Sequence, residues 1–157
     1  MSLVEEYREA RRGEDLARLR RVLALRALMA DGFSQRAIAE QLGISQSAIS
    51  QQLRSAPDLS RQDPVVLLKA AAPIVKALAA ERGFTRLAVF GSVARGDARP
   101  DSDIDLLIEP PEGTSSFGFV RFQQLIEHVL GRRVDLVSYG GLKPGLDDDI
   151  QREAVPL

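Results

Sequence analysis

Residues 91–105 of this 157-residue chain read Gly-Ser-Val-Ala-Arg-Gly-Asp-Ala-Arg-Pro-Asp-Ser-Asp-Ile-Asp, and their side chains can do chemistry. Asp103 and Asp105 flank Ile104 at the head of an apolar run, Leu106-Leu107-Ile108. In a strand, residues two apart point the same way, so the two carboxylates project together while Ile104 packs behind them. Paired anions repel unless a proton or a cation lies between them. All-oxygen donors of this kind suit Mg²⁺, which is usually held by one or two carboxylates together with substrate phosphates. Gly91 and Ser92 follow a second apolar run, Leu87-Ala88-Val89-Phe90, and ten residues separate Ser92 from Asp103. A Gly-Ser turn after a strand offers backbone N–H groups and a hydroxyl to phosphate oxygens.

This spacing of Gly-Ser, ten residues and Asp-x-Asp resembles the signature of the nucleotidyltransferase superfamily. The fuller form, Gly-Ser-x-Ala-Arg-Gly with Ser-Asp-Ile-Asp-Leu, is most similar to the small bacterial minimal nucleotidyltransferases, over roughly residues 74–157. The resemblance implies an α/β (α+β) nucleotidyltransferase fold with a small mixed sheet, and a third catalytic carboxylate on a later strand. Asp135, within Arg133-Val134-Asp135-Leu136-Val137, is the candidate; taken alone it would be an idle, solvated aspartate at a strand edge. The three acids would hold two Mg²⁺ ions that clamp the attacking and leaving oxygens. Asp135 would serve there as ligand or as general base. ATP is the implied substrate and AMP the implied group transferred. Gly91 and Ser92 would grip the β/γ end of the triphosphate. Arg95, one turn on, would touch phosphate or be only a surface arginine. Ser102 would order the loop ahead of the acids. Relatives of this kind act as antitoxins that add AMP to a tyrosine of a HEPN-type ribonuclease toxin, so the implied partner is a HEPN-type toxin protein.

These residues need a scaffold, and the chain divides in two to supply it. Ser55-Ala-Pro-Asp-Leu-Ser-Arg-Gln-Asp-Pro64 carries two prolines and several small polar residues, which mark a linker between domains at 1–60 and 61–157. In the second domain the pattern predicts a helix over Pro64–Arg82 that Pro73 kinks or splits. Strands follow at Thr85–Phe90, Ile104–Glu109 and Arg133–Ser138. A short helix runs through about Arg95, an amphipathic helix spans Phe119–Leu130, and a helical tail spans Leu146–Val155.

The first domain reads as all helix. Leu16, Leu19, Val22, Leu23, Ala27 and Met29 keep helical spacing, and Asp31-Gly32 closes that helix. Ser34 and Ser45 can cap two short helices on either side of Gly43. Ala39 is small where they would cross, and Ile38, Leu42, Ile44, Ile49 and Leu53 would form their shared core. Residues 33–54 resemble the helix-turn-helix of bacterial transcription regulators. The resemblance puts the second helix in the major groove of operator DNA, with Gln46, Ser47, Ser50 and Gln51 as the readers of bases or phosphates. The same helical pair could instead serve protein contact.

Composition sets outer bounds. Residues 1–60 hold nine arginines against eight acids, and the whole chain carries a net charge of −1. Phosphate neutralisation, a main source of affinity for nucleic acid, is therefore modest, and a homo-oligomer reading two half-sites would offset that. The chain has no cysteine and one histidine, His128, which excludes disulfides, thiolate zinc and multi-histidine metal centres. No apolar stretch approaches the ~20 residues of a membrane span. The first residues lack a basic start and an apolar signal core, so a cytoplasmic protein without a membrane partner is expected. Two other functions fit the same residues. One is a DNA-binding transcription regulator that senses nucleotide without transferring it. The other is a small-molecule nucleotidyltransferase acting on an aminoglycoside-like hydroxyl.

Overall fold

The computed structural model describes residues 1–157, which form two compact units, Met1–Pro57 and Asp58–Leu157. The division falls inside the proline-bearing linker, three residues ahead of the expected boundary.

The first unit is three helices. The α1 helix (Leu3–Ala30) opens on a capping box: the Ser2 hydroxyl accepts from the Glu5 N–H while the Glu5 carboxylate accepts from the Ser2 N–H. Its buried residues, Leu19, Val22, Leu23, Leu25 and Ala27, all lie in its second half. The α2 helix (Gln35–Leu42) is capped by Ser34, and α3 (Gln46–Arg54) by Ser45. Between them Gly43 adopts φ +68°, a left-handed turn that glycine takes without strain. Ile38, Ala39, Ile49 and Leu25 form the core, with Leu28 and Leu53 packed against it. Leu42 and Ile44, expected in that core, are exposed. Leu42 is the last residue of α2, a turn beyond Ile38, and Ile44 sits in the turn past Gly43, so both lie at the open end of the helical pair.

The second unit is a four-stranded sheet in the order β3-β2-β1-β4. The strands are β1 (Thr85–Phe90), β2 (Ile104–Glu109), β3 (Val134–Ser138) and β4 (Val155–Pro156). β2 and β3 are parallel, and the other pairings are antiparallel, so the sheet is mixed as expected. One face packs under α4 (Pro64–Glu81) and α6 (Ser116–Leu130). Ile104, Leu106, Ile108, Val134 and Leu136 alternate onto it and are buried. Phe84 stacks on Phe122 of α6 with ring centroids 4.2 Å apart. On the other face Ala88, Phe90, Leu107 and Val137 are covered by Tyr139, Leu142, Ile150 and Ala154 from the C-terminal segment.

Two expectations are corrected here. Pro73 does not split α4, which runs continuously through it. Burial of Leu67, Leu68, Ala70 and Ala71 before the proline and of Val75, Leu78 and Ala79 after it keeps both halves on one surface, and packing outweighs the lost backbone bond. The tail is helical only over α7 (Asp148–Glu153). Val155 and Pro156 then form β4, opposite Val89 and Ala88 of β1. Pro156 has no N–H to give, which suits an edge strand.

Arg132 is the buried charge of this unit. Its Nη2 donates to three backbone carbonyls, those of Ser60 at 2.7 Å, Gln62 at 2.9 Å and Pro100 at 2.6 Å, while Nη1 is buried without a partner. Next to it, the Arg133 carbonyl accepts from the Ile104 N–H at 3.2 Å. Residues 132–133 thus fasten the loop that enters β2. Replacing Arg132 by Ala strands those carbonyls, and the expected loss is roughly 2–3 kcal/mol. Urea unfolding of the full chain measures it; an unchanged midpoint would refute this account of the loop.

Candidate active site

The site residues come from the ends of two parallel strands and one turn. Pairing of β2 with β3 sets Asp105 opposite Asp135 and Ile104 opposite Val134. Neighbouring strands lie about 4.8 Å apart, so the two carboxylates leave adjacent backbones toward the same face. Asp103 falls one residue before β2 rather than within it. Leu107 and Val137, two residues further along each strand, point to that face too and are the part covered by the C-terminal segment. Asp103 and Asp135 are exposed, and Asp105 is half-buried.

Gly91 ties the turn to these acids. Phe90, its neighbour at the end of β1, is the register partner of Asp105. Gly91 has φ +71°, and a Cβ placed on it would stand 2.9 Å from the Asp105 Cγ and 3.3 Å from its Cβ. Any side chain at 91 would collide with the Asp105 carboxylate, so the close approach requires glycine. The α5 helix (Gly91–Arg95) follows and carries Ser92, half-buried, and Arg95. Arg95 Nε donates to Asp97 at 3.4 Å, and Nη1 donates to Glu153 at 3.2–3.3 Å. Ser102 orders the loop before the acids: its hydroxyl accepts from the Arg99 N–H at 2.8 Å.

Electrostatics single out Asp105. Burial foremost, then the charges of Asp135 and Asp103, push its carboxyl up from 3.8 to about 6; Arg95 pulls the other way and Glu153 adds to the rise. Glu153 therefore belongs to the surroundings of the site. Nothing in its local sequence marks it, because only the pairing of β4 with β1 brings the chain's last turns back beside α5.

No three acidic or histidine side chains stand as a closed metal-binding cluster. Mg²⁺ does not need one, since it usually keeps waters and substrate phosphates among its ligands. Hard oxygen donors on adjacent strands, one of them resisting ionisation beside its neighbours, fit a divalent cation that would relieve that repulsion.

In the first unit, Gln46, Ser47, Ser50 and Gln51 share one face of α3, opposite buried Ile49. Gln46, Ser47 and Gln51 are exposed and Ser50 is half-buried. Arg54, one turn on, donates to the Ser50 hydroxyl at 2.8 Å and to the Gln51 amide oxygen at 3.1 Å. Arg54 lines this face as well.

A mixed four-stranded sheet with this Gly-Ser turn and acid pair defines a class: the chain belongs to the nucleotidyltransferase domain family, whose model matches residues 72–157. Residues 17–58 match the family model of Sigma-70, region 4. "Putative protein adenylyltransferase MJ0435" of Methanocaldococcus jannaschii is 43% identical over 77 residues, covering 49% of this chain and 83% of that protein. "Protein adenylyltransferase MntA" of Thermococcus cleftensis is 41% identical over 73 residues, covering 46% of this chain and 74% of that protein. A solved chain named "Structure of putative minimal nucleotidyltransferase" is 45% identical with a TM-score of 0.53, covering 66% of this chain and 99% of that one. In the second unit no helix is long and apolar enough to cross a membrane, and the same holds for the first.

The raised carboxyl has a consequence for stability. Its folded value lies above its unfolded one, so its contribution is full below about pH 4 and is lost as the pH rises through about 6. Asp105→Asn removes the charge. In metal-free buffer it is expected to be more stable than the parent at pH 7–8 by about 1 kcal/mol, allowing for solvent screening, or roughly 5 °C in Tm. The gap should close near pH 4. Thermal melts across that range decide it, and a variant less stable at pH 8 would contradict the repulsion.

Proposed function

We propose that this chain is an Mg²⁺-dependent protein adenylyltransferase that passes AMP from ATP to a hydroxyl of a HEPN-type toxin, acting as its antitoxin. The observation that carries this reading is the strand register that sets Asp105 level with Asp135 beside a turn only glycine can make. Relatives named protein adenylyltransferases support the group transferred and the class of acceptor.

In this reading Asp103, Asp105 and Asp135 would hold two Mg²⁺ ions, which would supply charge neutralisation for the triphosphate and polarisation of the reacting oxygens. Gly91 and Ser92 cradle the β- and γ-phosphates through backbone N–H groups and the Ser92 hydroxyl. Arg95 adds a cation beside them. Asp135, the exposed member, faces the incoming hydroxyl and orients it or takes its proton. That oxygen bonds to the α-phosphorus, the bond to the bridging oxygen breaks, and pyrophosphate leaves with the bonding pair. Most of the work is placement and neutralisation, and the protein forms no covalent intermediate.

The helix-turn-helix unit binds operator DNA in this reading. Gln46, Ser47, Ser50 and Gln51 face the groove, with Arg54 beside them. The match to Sigma-70 region 4 supports it. A homo-oligomer would engage two half-sites and multiply a modest charge.

Incubation of the purified chain with ATP, Mg²⁺ and the product of the neighbouring gene tests the enzyme. Mass spectrometry should find AMP attached to that product. Asp103→Ala, Asp105→Ala and Asp135→Ala should each cut the yield at least ~100-fold, as removal of a charge-stabilising group does elsewhere. Chelation should abolish it, and no adduct under any condition would sink the reading. Binding of the chain to its own upstream DNA tests the other half. Gln46→Ala or Gln51→Ala should cost about 1–3 kcal/mol at fixed salt.

A further inference from the structure

Arg95 is fastened from two sides. Asp97, on its own loop, accepts from Nε at 3.4 Å. Glu153 presents both carboxylate oxygens to Nη1, at 3.3 and 3.2 Å, from 58 residues away in the chain. Nη2 is left as the donor edge for another acceptor. This pair differs from an ordinary surface ion pair in how its partners are held. The Glu153 side chain is 29% exposed and that of Arg95 48%. Glu153 ends α7, and the next residues enter β4, where Val155 stands opposite Val89 and the Leu157 N–H donates to the Leu87 carbonyl at 3.1 Å. Arg95 leaves that same end of β1 through α5, while β4 flanks β1 on the side away from β2 and β3. One strand therefore carries both members, and their separation is set by backbone pairing.

Arg95 stands beside the acids because α5, which carries it, begins at Gly91, packed against the Asp105 carboxylate. An untethered guanidinium on that short helix would be drawn toward the neighbouring carboxylates, into the space that phosphates and cations need. A fixed anion on its far side opposes that collapse. We propose that Glu153 is a positioning residue for nucleotide transfer, holding Arg95 off the acid pair and presenting it to the triphosphate of the substrate. This rests on the reading of the site as a nucleotidyltransferase centre.

The test is a double-variant cycle on the full chain, with MgATP affinity measured by calorimetry and AMP transfer measured alongside. Glu153→Gln keeps the shape and removes the charge. It is expected to weaken MgATP about tenfold, the scale of one charge-assisted contact, and to raise KM by a similar factor with kcat changed less than about threefold. Glu153→Asp, which keeps the charge, should recover most of the affinity. Arg95→Ala should weaken MgATP to a similar degree, and adding Glu153→Gln to it should change nothing further. Parent-like affinity in Glu153→Gln overturns the proposal. So does a full second loss on top of Arg95→Ala, since Glu153 would then act without Arg95. A parent chain that neither binds MgATP nor transfers AMP overturns the underlying reading and this proposal with it, and is told apart by failing before any substitution.

Discussion

The pairing of β2 with β3 sets Asp105 level with Asp135, and a slip of one residue would turn one carboxylate to the opposite face. What prevents the slip is the far side of the same strands. Ile104, Leu106, Ile108, Val134 and Leu136 are buried beneath α4 and α6, and a slipped strand would put an aspartate of β2 or β3 in that apolar row. Burial of such side chains is worth about 1.5–3 kcal/mol apiece, more than repulsion between one half-buried and one exposed carboxylate. Apolar packing thus holds in place an acid pair that would otherwise separate. The parallel arrangement needs a crossover, and α6 provides it while covering the face that fixes the register.

Tension at the acids and order around them come from the same contacts. Asp105 is half-buried because Gly91 lies against it, and that closeness is what brings Ser92 to the same end of the sheet. A more exposed carboxylate would ionise freely but would leave the turn too distant to share a ligand with it. Local instability at a functional centre, offset by packing elsewhere, is a common arrangement in folded proteins. Arg132 contributes to the offset from beneath, joining three carbonyls of otherwise separate loops.

Much of this was legible in the sequence because it is local. Gly91-Ser92, Asp103 and Asp105 lie within fifteen residues between two apolar runs, and both strands follow directly from those runs. The caps at Ser34 and Ser45 and the turn at Gly43 are equally local signals, and the helices they predict form. Failures arose where distant packing decides the outcome. Pro73 is a strong local helix breaker, overridden by buried neighbours on both sides. Leu42 and Ile44 have the composition of core residues but fall where the chain turns away. Val155-Pro156 is too short to show alternation, and only β1 makes a strand of it. Glu153 was invisible for that reason: its neighbours at the site are set by a pairing that no window around it contains.

That last pairing also fixes an order of events. β1, β2 and β3 can pair once residues up to 138 exist, but β4 must return across most of the unit to reach Val89 and Ala88. Closing so large a loop for two residues of ladder is entropically unrewarding early, which makes docking of this segment a late step. A folding chain would therefore bring its carboxylates together before Glu153 reaches Arg95, and the charge pattern would be complete only once β4 has docked.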